Sequence, residues 1–379
     1  MNKKTWIGVA AVVVVVAIIA VIWTSKSPDK SVITIGATLP LSGDAAVWGK
    51  NTQEGIDLAV EEINASGGVL GRKLVVVYED TKGLAKEGVT AYRKLTTVDK
   101  VNVIIDDSVS GVTLAMAPIA QKDHVVVVAT GATAPKISEA GAYIFRVWNS
   151  DAHEGEVSAD YAFDTLGFRS VAILYINNEY GKGLEQVFRS RLVERGGNIP
   201  TSESFAQSAT NIRTQLTKIQ ASKPDGLYVV GYPKEIPIAL KQAKELGLNL
   251  PLIGTVAMQD PQLIQTAGDA AEGLMFPYPK DPGGQYVTLF KEAFQKKYGK
   301  EPGITADVGY DAAKMIAKAM ELSGGPAGEN IQKGLTMLKD YPGVSGTMTF
   351  DENGDVHKPM GIKIVMKGLF RWHESVISG

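Results

Sequence analysis

VNVIIDDSVSGVTLAMAPIAQKDHVVVVA, residues 101–129, carries the pattern that decides the fold. Two apolar runs, Val101–Asp106 and Val125–Ala129, are each the length of one strand and rich in β-branched side chains. Between them lies a helical stretch near Val112–Lys122. Near-continuous apolar strands alternating with helices imply parallel strands buried on both faces.

The alternation extends outward. Upstream, Val32–Thr38 (VITIGAT) reads as a strand. Thr52–Asn64 reads as a helix, with Ile56, Leu58, Ala59, Val60 and Ile63 on its apolar face. Leu74–Glu79 is a further strand, and a helix runs from about Lys86 to Thr97. Downstream the pattern restarts. Ser170–Tyr175, Gly226–Val230 and Pro251–Gly254 are strands, separated by helices over Lys182–Arg195 and Glu235–Leu246. Two doubly wound units are therefore predicted, roughly 32–150 and 151–279. Each places an aromatic-glycine pair after its first strand, Trp48-Gly49 and Tyr180-Gly181. Beyond them, Tyr286–Tyr298 and Ala312–Ser323 have helical spacing. From Ser345 the pattern changes to hairpins, with strands Thr347–Phe350 and Gly361–Met366 and a turn at Glu352–Asp355.

Composition narrows the function. A chain of 379 residues, 45% hydrophobic, can build the cores of two ordinary domains. A net charge of −2 without a basic run beyond the N-terminus disfavours a nucleic-acid partner. No cysteine is present, which excludes disulfides, thiolate nucleophiles and a lipidated cysteine. His124, His153, His357 and His373 share no metal-ligand spacing and sit in no triad motif. G-x-S-x-G is absent. Gly43–Lys50 has five residues between its glycines where a phosphate loop has four. Asp351–Asp355 (DENGD) reads as a hairpin turn rather than a calcium loop. No enzyme, cofactor or metal site is expected.

At the N-terminus, Lys3 and Lys4 precede an apolar run from Trp6 to Trp23. Its length suits a bilayer-spanning anchor, or else a cleaved signal peptide. The positive side stays inside, so the rest of the chain is expected outside. Residues 1–31 are then a targeting or anchor segment ending in the polar linker Ser25–Ser31.

In a doubly wound sheet, ligands sit at the carboxyl ends of the strands. Polar or small residues gather there: Ser108 and Ser110; Gly131, Ala132 and Thr133; Asn177, Asn178 and Tyr180; Tyr232; and Thr255. Hydroxyls and backbone amides at helix starts suit an anionic group such as a carboxylate. Helix capping would explain any one of them. Their coincidence over five strand ends points to a shared cleft.

Residues 33–74, ITIGATLPLSGDAAVWGKNTQEGIDLAVEEINASGGVLGRKL, resemble the start of a mature branched-chain amino acid binding protein of ABC transporters, in the type I periplasmic binding protein group. Further segments carry the resemblance: ATGATAPKIS (129–138), FRVWNSDAHEG (145–155), NNEYGKGL (177–184), LKQAKELGL (240–248), AGDAAEGL (267–274), GYDAAK (309–314) and GTMTFDENGD (346–355). The resemblance implies two Rossmann-like lobes joined by a three-crossover hinge. Lobe 1 would comprise 32–150 plus 280–342, and lobe 2 would comprise 151–279 plus 343–379. It implies an extracytoplasmic solute-binding protein, in the periplasm or at the outer face of the cytoplasmic membrane. Such a protein takes an amino acid or related small carboxylate or amide between its lobes and passes it, as a monomer, to ABC transporter permease subunits. A ligand-sensing module of the same fold without transport is the alternative.

The resemblance also implies roles for single residues. Ser110 would hold the ligand carboxylate. Gly131, Ala132 and Thr133 would bind the carboxylate and amino groups. Tyr180 and Tyr232 would close from lobe 2, Trp48 would line the pocket, and Asp151 would stand near the hinge. One position departs, because the acidic partner of a ligand ammonium falls at Val256. Either Asp107, Asp151 or Glu154 serves instead, or the ligand lacks an α-amino group.

Overall fold

The computed structural model describes residues 31–106 and 109–373, so the apolar run Trp6–Trp23 and residues Asp107 and Ser108 lie outside the described residues. Among the described residues no helix is long and apolar enough to cross a membrane.

The chain begins with β1 (Val32–Leu39), α1 (Ala46–Ala65), β2 (Lys73–Asp80), α2 (Ala85–Thr97), β3 (Val103–Asp106), α3 (Ser110–Asp123), β4 (Val126–Ala129) and β5 (Ile144–Arg146). These strands form one parallel sheet in the order β2-β1-β3-β4-β5. Every residue of β3 and β4 is buried, as their unbroken apolar sequence requires.

The second unit repeats the plan. It comprises α4 (Asp151–Asp160), β6 (Val171–Ile176), α5 (Glu179–Glu194), β7 (Ser202–Phe205), α6 (Arg213–Ala221), β8 (Gly226–Val230), α7 (Ile236–Glu245), β9 (Leu252–Ile253), α8 (Pro261–Ala267) and β10 (Met275–Pro279). Its parallel strands run β7-β6-β8-β9-β10, the same order as in the first sheet. In both sheets the chain reverses direction beside its first strand, between β1 and β3 and between β6 and β8. A doubly wound sheet opens its binding crevice at such a switch point.

Then follow α9 (Gly284–Tyr298), α10 (Ala306–Ser323), α11 (Gly328–Met337), β11 (Tyr341–Gly343), β12 (Gly346–Met348), β13 (Met360–Met366) and β14 (Leu369–Trp372). Helix α10 lies along α1, buries Val308, Ala312, Met315, Ile316 and Ala319, and joins the first sheet's core. It starts at Ala306, six residues before the apolar spacing alone would begin it.

The C-terminal strands depart from the expectation. Gly346–Met348 pairs with Tyr341–Gly343, not with the strand at 361–366. The latter instead pairs antiparallel with β10 and β14, extending the second sheet. The segment 343–356, expected with the second unit, packs on the first. Val344 N–H donates to Asp311 (2.9 Å), Phe350 meets Phe145, and Asp355 pairs with Arg146 (2.7 Å). A buried arginine and a buried aspartate hold it there. Asn149, just after β5, and Lys358, just before β13, exchange two hydrogen bonds, of 2.8 and 2.7 Å.

Candidate functional site

Both aromatic-glycine pairs have one structural cause. A Cβ on Gly49 would stand 2.3 Å from the Pro40 carbonyl oxygen, and one on Gly181 would stand 1.9 Å from that of Ile176. Glycine lets each first helical turn press on the end of the strand before it. The preceding aromatic is thereby fixed at the switch point, Trp48 from the first unit and Tyr180 from the second.

These aromatics meet. Trp48 packs edge-on to Tyr232 with ring centroids 5.5 Å apart, and Tyr232 stacks on Tyr180 at 5.6 Å. The Tyr180 hydroxyl donates to Thr255 Oγ1 (2.9 Å), and Asn178 Nδ2 donates to the Tyr232 oxygen (3.1 Å). Asn178 also caps α5 by accepting from Gly181 N–H. With Gly131, Thr133, Trp148, Val256, Ala257, Ile304 and Thr305, the three aromatics wall a small cavity. None of these side chains is charged. The buried Trp48 Nε1 has no hydrogen-bond partner. Thr305 adopts a left-handed backbone (φ +74°) and donates from its hydroxyl to the Trp48 carbonyl (3.0 Å). A larger cavity shares Trp148 and Ile304 as wall and carries mixed charge, including Lys280, Lys363, Asp281 and Asp307.

The turn 131–134 is clamped from behind. Ser110 Oγ accepts from Thr133 N–H and Ala134 N–H, both at 3.1 Å. The fully buried Arg146 donates to the carbonyls of Thr133 (2.8 Å) and Ala134 (3.2 Å), while its guanidinium pairs with Asp355. Ser110 is itself fully buried and does not line the cavity, and neither does Ala132. The Ser110 oxygen thus holds the turn in place. Asn177 is exposed and lies off the cavity wall.

One residue layer behind the wall lie two acids from the first turn of α4. Asp151 N–H donates to the Thr133 carbonyl (2.8 Å), and Glu154 Oε1 accepts from Val256 N–H (3.0 Å). Both side chains are fully buried. Both Asp151 oxygens and Glu154 Oε2 have no hydrogen-bond partner. Burial pushes the Asp151 carboxyl up to about 7. The nearby Thr133 hydroxyl, short of hydrogen-bond geometry, and the Arg146 charge hold it back. Burial, and then the charge of Asp151, push Glu154 well above the usual carboxylate range. Glu154 thus reaches the backbone of Val256 itself.

Trp148, Ile304 and Thr305 wall the cavity without being singled out by the sequence reading. Trp148 stands within FRVWNSDAHEG, a segment that carries the family resemblance, and this was the available signal. Ile304 and Thr305 carry none, because they lie between α9 and α10 and follow no strand.

Residues 32–365 match the family model described as periplasmic binding protein. The chain belongs to the periplasmic binding protein family. This membership makes it an extracytoplasmic solute-binding protein of ABC transport, not an enzyme. It is similar to the leucine-specific-binding protein of Salmonella typhimurium, with 28% identity over 98% of each chain. Among solved structures it resembles the leucine binding protein LivK of Thermotoga maritima. There the identity is 30% and the TM-score 0.86, over 91% of this chain and 98% of that one. LivJ of Streptococcus pneumoniae, solved in complex with isoleucine, is 28% identical with a TM-score of 0.83, covering 90% and 98%. The periplasmic binding protein fold of these relatives is the two-unit α/β architecture described above.

Proposed function

We propose that this chain binds an amino acid, or a related small carboxylate or amide, in the cavity walled by Trp48, Gly131, Thr133, Tyr180 and Tyr232. It then hands the ligand, as a monomer, to the permease subunits of an ABC importer. The run Trp6–Trp23 tethers it to the outer face of the cytoplasmic membrane or directs its export. Lobe 1 comprises the first sheet with α9, α10 and α11, and lobe 2 the second sheet.

One observation carries the reading. Aromatic side chains from both units converge on one uncharged cavity at paired switch points, with the Thr133 hydroxyl beside them. Closing two units over a solute removes water and strengthens polar contacts at the ligand. The leucine and isoleucine relatives support an apolar amino acid as the first candidate.

The test is a melting-temperature screen of amino acids, their desamino carboxylates and their amides, because a ligand of the native state raises apparent stability. At least one compound should raise Tm by several degrees, and Trp48→Ala should abolish that shift. No shift with any compound, or an undiminished shift in Trp48→Ala, would refute the reading. Membrane fractionation of the chain with and without residues 1–31 tests the tether separately.

A further inference from the structure

The larger cavity beside the aromatic one differs from it in carrying charge on its wall. In a sheet, residues directly opposite on paired strands, and residues two apart on one strand, share a face. Strands β10, β13 and β14 thereby put Tyr278, Gly361, Lys363 and Trp372 on one face of the second sheet, with Lys280 just past the end of β10. Lys363 Nζ lies 4.2 Å from the Tyr278 ring centroid and 4.8 Å from that of Trp372. It donates to Gln259 Oε1 (2.9 Å). Gly361 leaves room for the indole, because a Cβ there would stand 3.0 Å from the Trp372 ring.

The cations on this face lack a counter-charge. Among the described residues the one ion pair on the cavity wall joins Lys291 to Asp281 (3.3 Å), which leaves Lys280 and Lys363 without an acidic partner. Asp281 is committed further, accepting from Gly283 N–H (2.9 Å). Asp307, from α10, is pushed above the usual carboxylate range by burial, against the pull of Lys358, so it holds its charge less readily. Burial pulls the Lys363 ammonium down to about 8, against the pull of Asp281. A cation drawn out of water is costly when it is not paired, and two ring faces offset only part of that cost. Across the cavity the first unit supplies Val287 and Phe290 from α9, so the surroundings are apolar.

We propose that this second cavity is an anion-binding compartment of the cleft, which takes the carboxylate of an organic acid with an apolar body. The inference rests on the ligand site proposed above, because the two cavities share Trp148 and Ile304. The carboxylate accepts from Lys363 Nζ, and Lys280 adds its charge at the exposed edge. The body of the acid lies against Tyr278, Phe290 and Trp372. It arrives either as the far end of a ligand whose head fills the aromatic cavity, or as a second molecule beside a shorter ligand. No bond is made or broken. Lys363 and Trp372 come from the second sheet and Phe290 from the first unit, so an occupant bridges the two units and favours the arrangement in which they face each other.

The experiment is titration calorimetry of the whole chain with named probes. L-2-aminosuberate and L-2-aminooctanoate have carbon chains of equal length and differ only in the distal carboxylate. 3-Phenylpropanoate is titrated onto protein saturated with L-leucine. A preference for aminosuberate of about tenfold or more, falling as sodium chloride is raised, identifies the far end of one long ligand. Binding of 3-phenylpropanoate to the leucine-loaded protein, with the same salt dependence, identifies a separate anion. In either case Lys363→Met, which keeps the apolar stem between the rings, should remove the effect, and Lys363→Arg should retain it. Lys280→Met should reduce it by a smaller factor, and this variant decides the matter if Lys363→Met does not fold. Equal affinity for the two amino acids with no uptake of 3-phenylpropanoate, or an effect that both methionine variants leave intact, overturns this inference, and L-leucine binding then leaves the ligand site standing. Failure of every probe, L-leucine included, overturns the inference, and with an empty melting-temperature screen it overturns the ligand site too.

Discussion

Ser110 holds the turn that walls the cavity. Its hydroxyl satisfies two buried amides of the 131–134 turn. Ser110→Ala leaves both unpaired and should cost about 2 kcal/mol or more, since each buried orphan donor costs roughly 1–3. Urea unfolding measures this loss, and an unchanged midpoint would show the turn held without it. Asp151 gives a pH signature of its own. Its folded value of about 7 lies above the ordinary 3.8, so the folded protein keeps a proton that the unfolded chain releases. Stability from this group is fully present below about pH 4 and is lost as pH rises to about 7. Asp151→Asn should therefore gain stability relative to the parent between pH 5 and pH 8. Parallel urea midpoints for the two proteins over that range would contradict this.

Among the elements, the most legible were those with a local cause. The apolar runs of β3 and β4 and the aromatic-glycine pairs could be read directly, because burial on both faces and a tight strand-to-helix approach each leave a mark in a few adjacent residues. Strand β7, SESF, was illegible because only its last residue is buried. Strand β10, MFPYP, hides behind two prolines that argue against a strand, and it is held by β9 and β13 from distant sequence. The pairing of β11 with β12 was missed for a similar reason. Tyr341–Gly343 has no strand pattern of its own, so Thr347–Phe350 was assigned to the wrong hairpin. In the site, Thr133, Tyr180 and Tyr232 are legible as strand-end residues and Trp48 as half of an aromatic-glycine pair, whereas Ile304 and Thr305 follow no strand and carry no such mark. Gly181→Ala tests the element-level cause. Its Cβ would meet the Ile176 carbonyl, so α5 must shift and carry Tyr180 with it. A loss of about 1–3 kcal/mol in urea unfolding, with weakened ligand binding, is expected. Parent-like stability and affinity would mean that the approach is not required.

Across the whole molecule, the two units touch at the rim of the cleft as well as at the aromatics. Asp44, following β1, pairs with Lys234 Nζ (2.6 Å) and accepts from the Ser208 hydroxyl, both in the second unit. Lys136 and Glu179 form a second bridge across the cleft (2.8 Å). Exposed pairs of this kind contribute little each and are screened by salt. Asp44→Ala should therefore weaken ligand binding by no more than a few-fold, and added salt should reproduce part of the effect in the parent. A loss as large as that of Trp48→Ala would instead make the rim, not the aromatic cavity, the chief source of affinity.

The most direct measurement is a crystal structure of the protein with the compound that raises its melting temperature most. Ligand density is expected between the two sheets, bounded by Trp48, Thr133, Tyr180 and Tyr232. Density at another surface, with that cavity unchanged, would contradict the proposed site.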